Sequence, residues 1–273
     1  MFDRQQHGSG IQSAVGIVEL IYHNTVRNVR KTHANAMMAI VQNILQTVIF
    51  VAVFYLLFQV LGLRSNAIRG DFLLYIMSGI FLYMVHTRTV AAVSGSEGPA
   101  SPIMKHAPMT TAIAIASAAL GALYIQVLSM AVVLYGYHVI WGPITIHQPG
   151  GAFAMVMLSW LSGVSVGVVF LALKPWFPTF VSIAVMIYTR ANMIASGKMF
   201  VANNLPAYLL PFFDWNPLFH TIDQARGFTF INYNPHNTSV FYPLWVSVAL
   251  LMVGLMGEFY TRKNASISWS ARR

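Results

Sequence analysis

The sequence predicts an all-α integral membrane protein with six transmembrane helices, an N-terminal amphipathic interfacial helix, and re-entrant half-helices between spans five and six. Three observations lead there. Of 273 residues, 57% are hydrophobic and only 8% are charged, with a mean hydropathy of +0.62. A soluble domain carries about 25% charged residues, so most of this surface has lipid as its solvent. Apolar runs recur that are long enough to cross a hydrocarbon core of about 30 Å, which takes about 20 residues each. Between the last two runs lies an apolar segment broken by Pro206, Pro211, Pro217 and Pro235.

Residues 11–33 precede the first run. Ile11, Val15, Val18, Tyr22, Val26 and Val29 recur at spacings of three and four, one face of a helix. Arg27, Arg30, Lys31 and His33 follow at its end. An amphipathic helix with a basic end lies in the headgroup plane rather than crossing it. The opening residues MFDRQQHGSG are polar and lead into no short apolar segment with a cleavage site, so no cleaved secretory signal is expected.

The six runs fall at about 38–62, 72–93, 112–140, 152–173, 178–197 and 240–260. Gln42, Asn43 and Gln46 stand near the start of the first, and Lys174-Pro175 ends the fourth. This divides the chain into a cytoplasmic N-terminus with its amphipathic helix (1–33), a six-helix membrane domain (34–260) and a basic cytoplasmic tail (261–273). With the N-terminus in the cytoplasm, eleven basic residues face inward: Arg4, Arg27, Arg30, Lys31, Arg88 and Lys105, then Lys174, Arg262, Lys263, Arg272 and Arg273. Three, Arg64, Arg69 and Arg226, face outward. Positive charge stays inside, so both termini are placed in the cytoplasm and the span count is even. The net charge of +9 is therefore explained by lipid headgroups, and no nucleic-acid partner is expected.

Small residues at intervals of four, Ser159, Gly163 and Gly167 in the fourth span and Ser117 and Gly121 in the third, let helix backbones approach closely. They are a packing signal compatible with a homodimer seam. The loop at 94–111 is small, polar and broken by Pro99, Pro102 and Pro108. It is either a plain connection or a short lever exposing Met104, Lys105 and His106 to a cytoplasmic partner.

The segment 198–239 is too apolar for a free external loop, and its prolines forbid a continuous span. Half-helices that dip into the membrane and return are expected, buried in protein or lining a watery cavity. Between Phe200 and Trp245, 12 of 46 residues are aromatic, twice the chain-wide 13%. Such rings stack on sugars or form an interfacial belt. Arg190 and Lys198 are eight residues apart, hence on nearly the same helix face, a little over two turns apart. A charge at mid-span costs roughly 2.5–3.5 kcal/mol. The pair therefore marks either a passage for an anionic or hydroxylated solute, or one buried structural pair plus a snorkelling lysine. Asp214, Asp223 and Glu258 are the available partners.

No catalytic machinery is evident. The chain has no Cys, no phosphate-binding loop, no HExxH and no GxSxG, and its nine His lack ligand spacing, so no metal site is expected.

The order of these features resembles the type-2 ABC exporter permeases, and within them the capsular polysaccharide and O-antigen export permeases. The resemblance rests on the basic-ended N-terminal helix, six spans, the Pro-containing loop, and above all the stretch from Arg190 to Arg226. That stretch holds Ser196-Gly197, Phe200, Leu205-Pro206, Trp215-Asn216-Pro217-Leu218 and His220; Thr261-Arg262-Lys263 closes the pattern. Two features depart from it: the N-terminal helix is less rich in Arg, and Lys198 stands where an apolar residue is expected.

The resemblance implies a multi-pass subunit of the bacterial inner (plasma) membrane that moves a polysaccharide, lipid-linked or free. It would work as a homodimer with an ATP-binding cassette subunit. This chain would bind no cofactor and be no enzyme; ATP-Mg and its hydrolysis belong to the partner. Periplasmic or outer-membrane export components are further implied partners. Arg190, Lys198, Phe200, Tyr208, Phe212 and Trp215 would face the substrate path. Glu97, Met104, Lys105, His106 and Pro108 would couple to the ATPase. Pro206, Asn216, Pro217, His220 and Arg226 would form the re-entrant turn. Rival expectations are a drug or lipid permease of the same architecture, an ion-coupled secondary transporter using membrane carboxylates, and an intramembrane transferase.

Overall fold

The computed structural model describes residues 10–31, 36–60, 62, 68, 70–98 and 110–264. Among them the long elements are all helices. They are α1 (Gly10–Lys31), α2 (Ala36–Val60), α3 (Phe72–Ser94), α4 (Thr111–Ile140), α5 (Pro149–Leu173), α6 (Pro178–Ala195), α7 (Pro217–Thr229) and α8 (Phe241–Asn264). Two short 3-10 turns, Ala202–Asn204 and Leu210–Phe212, lie between α6 and α7.

The helix starts follow from local chemistry. The Asp71 carboxylate accepts from the Leu73 and Leu74 amides, 2.9 and 3.3 Å away, and caps α3. Thr110 caps α4 through the Ile113 amide. α5, α6 and α7 each open on a proline, whose fixed φ suits the first helical turn and whose missing N–H is no loss there.

Five helices, α2, α3, α4, α5 and α8, are long and apolar enough to cross a membrane, and the chain is an all-α multi-pass membrane protein. α6 occupies the position of the fifth expected span but is not among the five. It has 18 residues and carries Arg190 and Asn192 in its second half, which dilute its apolar character.

α3 is the central strut. Most of its apolar length, 78%, is buried inside the protein, against 17% for α2 and 22% for α8. Uncovered apolar side chains such as Leu45, Val53 and Leu56 on α2, and Met252 and Met256 on α8, would be untenable in water; lipid tails solvate them without cost. The main core joins Phe54 of α2, Ile76 and Ile80 of α3, Met155 of α5, and Leu218 and Ile222 of α7. A smaller cluster near the other end joins Val93, Ile115, Val168 and Leu171.

The small-residue rows are used within the chain. A Cβ at Gly163 would lie 2.7 Å from the His86 carbonyl, and one at Gly167 2.7 Å from Val93 Cβ. The Ser159 hydroxyl donates to the Leu82 carbonyl at 2.8 Å. α5 thus presses its small face onto α3, and Gly254 of α8 packs on the Val168 backbone from the other side. Ser117 and Gly121 seat α1: the Ser117 hydroxyl reaches the Ile21 carbonyl at 3.3 Å, and Thr25 and Val29 lie over Gly121. α1 therefore docks on α4 through Ile21, Thr25 and Val29, leaving Val15, Val18 and Tyr22 of its expected apolar face exposed.

The C-terminal end of α3, the start of α4 and the C-terminal ends of α5 and α8 gather at one end of the bundle. Lys174 donates to the Ser94 carbonyl at 3.2 Å, and the Thr261 hydroxyl to the Ala172 carbonyl at 3.1 Å. Because α1 docks on the first half of α4, it belongs to the same end as the last turn of α8.

Candidate functional site

The segment after α6 is organised by two charged residues three apart on α7, Asp223 and Arg226, both almost fully buried. Three residues is one turn, so both project from the same helix face. Arg226 donates to three carbonyl groups of the turn: Gly197 at 3.0 Å, Lys198 at 2.5 Å and Phe200 at 2.5 Å. Its guanidinium stacks 4.3 Å over the Tyr75 ring of α3. Asp223 accepts from the Ala202 amide (3.3 Å), the Tyr233 hydroxyl (2.5 Å) and the Thr238 hydroxyl (2.8 Å). One helical turn of α7 thereby holds both the 197–202 segment and the 233–238 segment. Burial, reinforced by the Asp223 charge, pushes the Tyr233 phenol well above its ordinary range and keeps it a donor.

Glycine is required at two points of this clamp. Gly197 has φ +68°, and a Cβ there would fall 2.4 Å from the Phe219 ring. At Gly79 a Cβ would fall 2.8 Å from both the Arg226 guanidinium and the Lys198 carbonyl. Asn216 closes the arrangement. Its carboxamide donates to Asn192 Oδ1 and the Ala195 carbonyl at the end of α6, and accepts from the Leu218 amide to cap α7. The start of α7 is thus tied to the end of α6, while its far end meets residues 147 and 148 before α5.

Asn216, Pro217, His220 and Arg226, four of the residues expected at the turn, belong to this assembly. His220 Nδ1 accepts from the Ser239 amide at 3.1 Å and Nε2 lies 2.6 Å from the Asp214 carbonyl. The proton must therefore sit on Nε2, and burial lowers the ring's pKa in keeping with a neutral imidazole. Pro206 is exposed in the intervening loop.

The expected path residues separate into groups. Tyr208, Phe212 and Trp215 are exposed, at 72%, 68% and 61%. Phe200 instead packs among Phe213 and Phe219. Arg190 is exposed on α6, whereas Lys198 is 3% exposed. The shared helix face expected of these two does not exist, because α6 ends at Ala195 and the positive φ of Gly197 turns the chain before Lys198. Nor do the anticipated carboxylates pair with either cation: Asp223 serves the clamp, and Glu258 lies 3.9 Å from Arg262. The Lys198 ammonium has no hydrogen-bond partner among the described residues. It sits 3.7 Å from the Tyr83 ring centre and 4.9 Å from those of Phe50 and Phe54.

Glu97, just after α3, is half-buried. Met104, Lys105, His106 and Pro108 lie outside the described residues, as does the tail beyond Asn264.

Sequence reasoning missed Asp223 as the partner element of Arg226, although the Asp-x-x-Arg spacing carried that signal. It also missed His86, fully buried at mid-α3, which meets the Ser162 and Tyr188 hydroxyls at 2.8 Å each. These contacts tie α3 to α5 and α6. No set of three or more potential metal ligands gathers among the described residues.

The class these elements define is a multi-pass helical membrane protein with a clamped, non-helical segment ahead of its last span. No known family model matches the chain, and no curated protein matches it.

Proposed function

We propose that this chain is the membrane-spanning subunit of an ATP-driven exporter that moves a polysaccharide, free or lipid-linked, across a bacterial inner membrane. The observation that carries the reading is the segment between α6 and α8. Its backbone is irregular, its base is fixed by Asp223 and Arg226, and it holds Tyr208, Phe212 and Trp215 outward. Irregular backbone at this level is stable only where its polar groups are satisfied by protein or water. Exposed rings on a rigid base suit the C–H faces of sugar rings passing along them.

In this reading α6 crosses as the fifth of six spans, and 196–240 forms the re-entrant portion on the outer side. Both termini then lie in the cytoplasm. Arg190, exposed on α6, faces a hydrated path between two copies of the chain, where its charge is tolerated. The uncovered apolar faces of α2 and α8 meet lipid or the second copy. α1 lies in the interface with Val15, Val18 and Tyr22 toward the acyl chains. It and the 94–111 loop receive the movement of a cytoplasmic ATP-binding subunit, which supplies the phosphate loop and hydrolyses ATP. The transport subunit itself does no bond chemistry.

The test is purification of the tagged chain from its own membranes in mild detergent, with mass spectrometry of what accompanies it. A stoichiometric soluble protein bearing a phosphate-binding loop is expected. A folded chain that purifies without any ATPase would sink the proposal in favour of an ion-coupled transporter, with Asp223 and Glu258 as the carboxylates to examine.

A further inference from the structure

The carboxamides of the first four helices are not scattered. α1 to α4 contain eight Asn and Gln residues, and six of them line one cavity of about 480 Å³. Asn24 and Asn28 come from α1, Gln42, Asn43 and Gln46 from α2, and Gln126 from α4. Arg27 and Arg88 line the same cavity, with Glu97 the single acid. In helices this apolar, such polar groups are costly unless they meet a partner. Two contacts join them to one another: Arg88 donates to Gln46 Oε1 at 2.5 Å, and Gln126 to Asn43 Oδ1 at 3.2 Å. A carboxamide has two N–H donors and an acceptor oxygen with two lone pairs, so these two contacts leave most of the lining's capacity turned to the cavity.

The size falls in the range of ligand pockets, about 300–1,000 Å³. The position matches a headgroup. Gln42 to Gln46 lie about 9–15 Å along α2 from its start, and Arg88 lies in the last two turns of α3, at the end of the bundle that carries Lys174 and Arg262. Beside the polar face of α2, Val41, Leu45 and Val48 form an exposed apolar stripe. A ligand with a polar head in the cavity and a hydrocarbon tail along that stripe satisfies both surfaces.

We propose that this cavity binds the phosphate-bearing headgroup of a lipid. Arg27 and Arg88 hold the phosphate, which guanidinium groups grip through paired N–H donors. The carboxamides hold the hydroxyl or ester oxygens next to it. Two sources present this chemistry: an anionic phospholipid of the bilayer, or the diphosphate of a polyprenyl carrier. The inference does not rest on the transport reading, since the phospholipid source stands whether or not the chain exports a glycan.

The test uses the full-length purified chain, stripped of lipid in detergent and titrated in native mass spectrometry. The probes are phosphatidylglycerol, undecaprenyl diphosphate and, as the neutral-headed control, phosphatidylcholine. At least one anionic probe should bind about tenfold more tightly than the control, and the Arg27→Gln/Arg88→Gln variant should lose that margin. Preference for phosphatidylglycerol assigns the site to the bilayer, and preference for the diphosphate assigns it to a carrier. Arg27→Gln alone, at an exposed position on α1, repeats the test without disturbing the Arg88–Gln46 contact. Equal retention of phosphatidylcholine, or anionic binding unchanged in a folded Arg27→Gln/Arg88→Gln variant, would overturn the proposal.

Discussion

Lys198 places an ammonium group among three rings and no carboxylate. Two energies oppose one another there. Cation–π attraction contributes about 0.5–2 kcal/mol, while stripping water from a buried ammonium costs several kcal/mol. The second is larger, so the side chain is a net burden on folding that its aromatic neighbours only partly offset. Methionine has nearly the same length and volume and leaves the Lys198 carbonyl free to accept from Arg226. Lys198→Met is therefore expected to raise the thermal midpoint of the detergent-solubilised protein. A fall of several degrees would show that the cage favours the cation. If the variant is more stable yet transports less, the charge is kept for function, which is the outcome expected of a path residue.

At the scale of elements, the turn after α6 is held to α7 by one side chain. Arg226 satisfies three carbonyl groups, those of Gly197 and Lys198 buried and that of Phe200 partly so, and Asp223 on the same turn keeps the local charge balanced. Arg226→Met should therefore cost about 3 kcal/mol or more, because it leaves the Lys198 and Phe200 carbonyls without their side-chain donor and removes the positive charge one turn from the buried Asp223. The loss should appear as a lower midpoint and as new proteolytic cleavage within 197–216. Unchanged stability and cleavage would mean that the segment is held by Asn216 and the aromatic cluster alone. The long helices were legible in the sequence because each is a long apolar run ended by proline, glycine or charge; α4 and α5 begin and end within three residues of their expected bounds. The clamp was only half legible. Arg226 stood out by charge, but its acceptors are backbone carbonyls, which carry no sequence signature. α6 ends two residues before its expected bound, and the shared face of Arg190 and Lys198 was misread because Asn192 to Lys198 reads as continuous helix until the positive φ of Gly197 is known. Likewise the Ser159–Gly163–Gly167 row announced close packing without saying that α3 is the neighbour.

For the whole molecule the open quantity is the number of crossings. Five helices pass the length and apolarity that a crossing needs, and α6 does not. Connectivity argues that it crosses nonetheless. α1 packs on the first half of α4, and α8 ends beside Ala172 and Trp176, so both termini of the described chain reach the same end of the bundle. An odd number of passes would put them at opposite ends. At about 27 Å for 18 residues, α6 is nearly long enough to reach from Lys174 to the clamp. The Tyr83 hydroxyl, donating to the Thr189 carbonyl, and His86, paired with Tyr188, fix it alongside α3 at mid-depth. The absence of cysteine makes this directly measurable, because a single introduced thiol is the only one present. His23→Cys on α1, Asn237→Cys before α8 and Asn264→Cys at the end of α8 are all at exposed positions. In sealed, uniformly oriented vesicles, a membrane-impermeant maleimide should reach positions 23 and 264 from the same side and position 237 only from the other. With five crossings, positions 23 and 264 would instead be labelled from opposite sides, and α6 would have to be redrawn as a helix buried within one half of the bilayer.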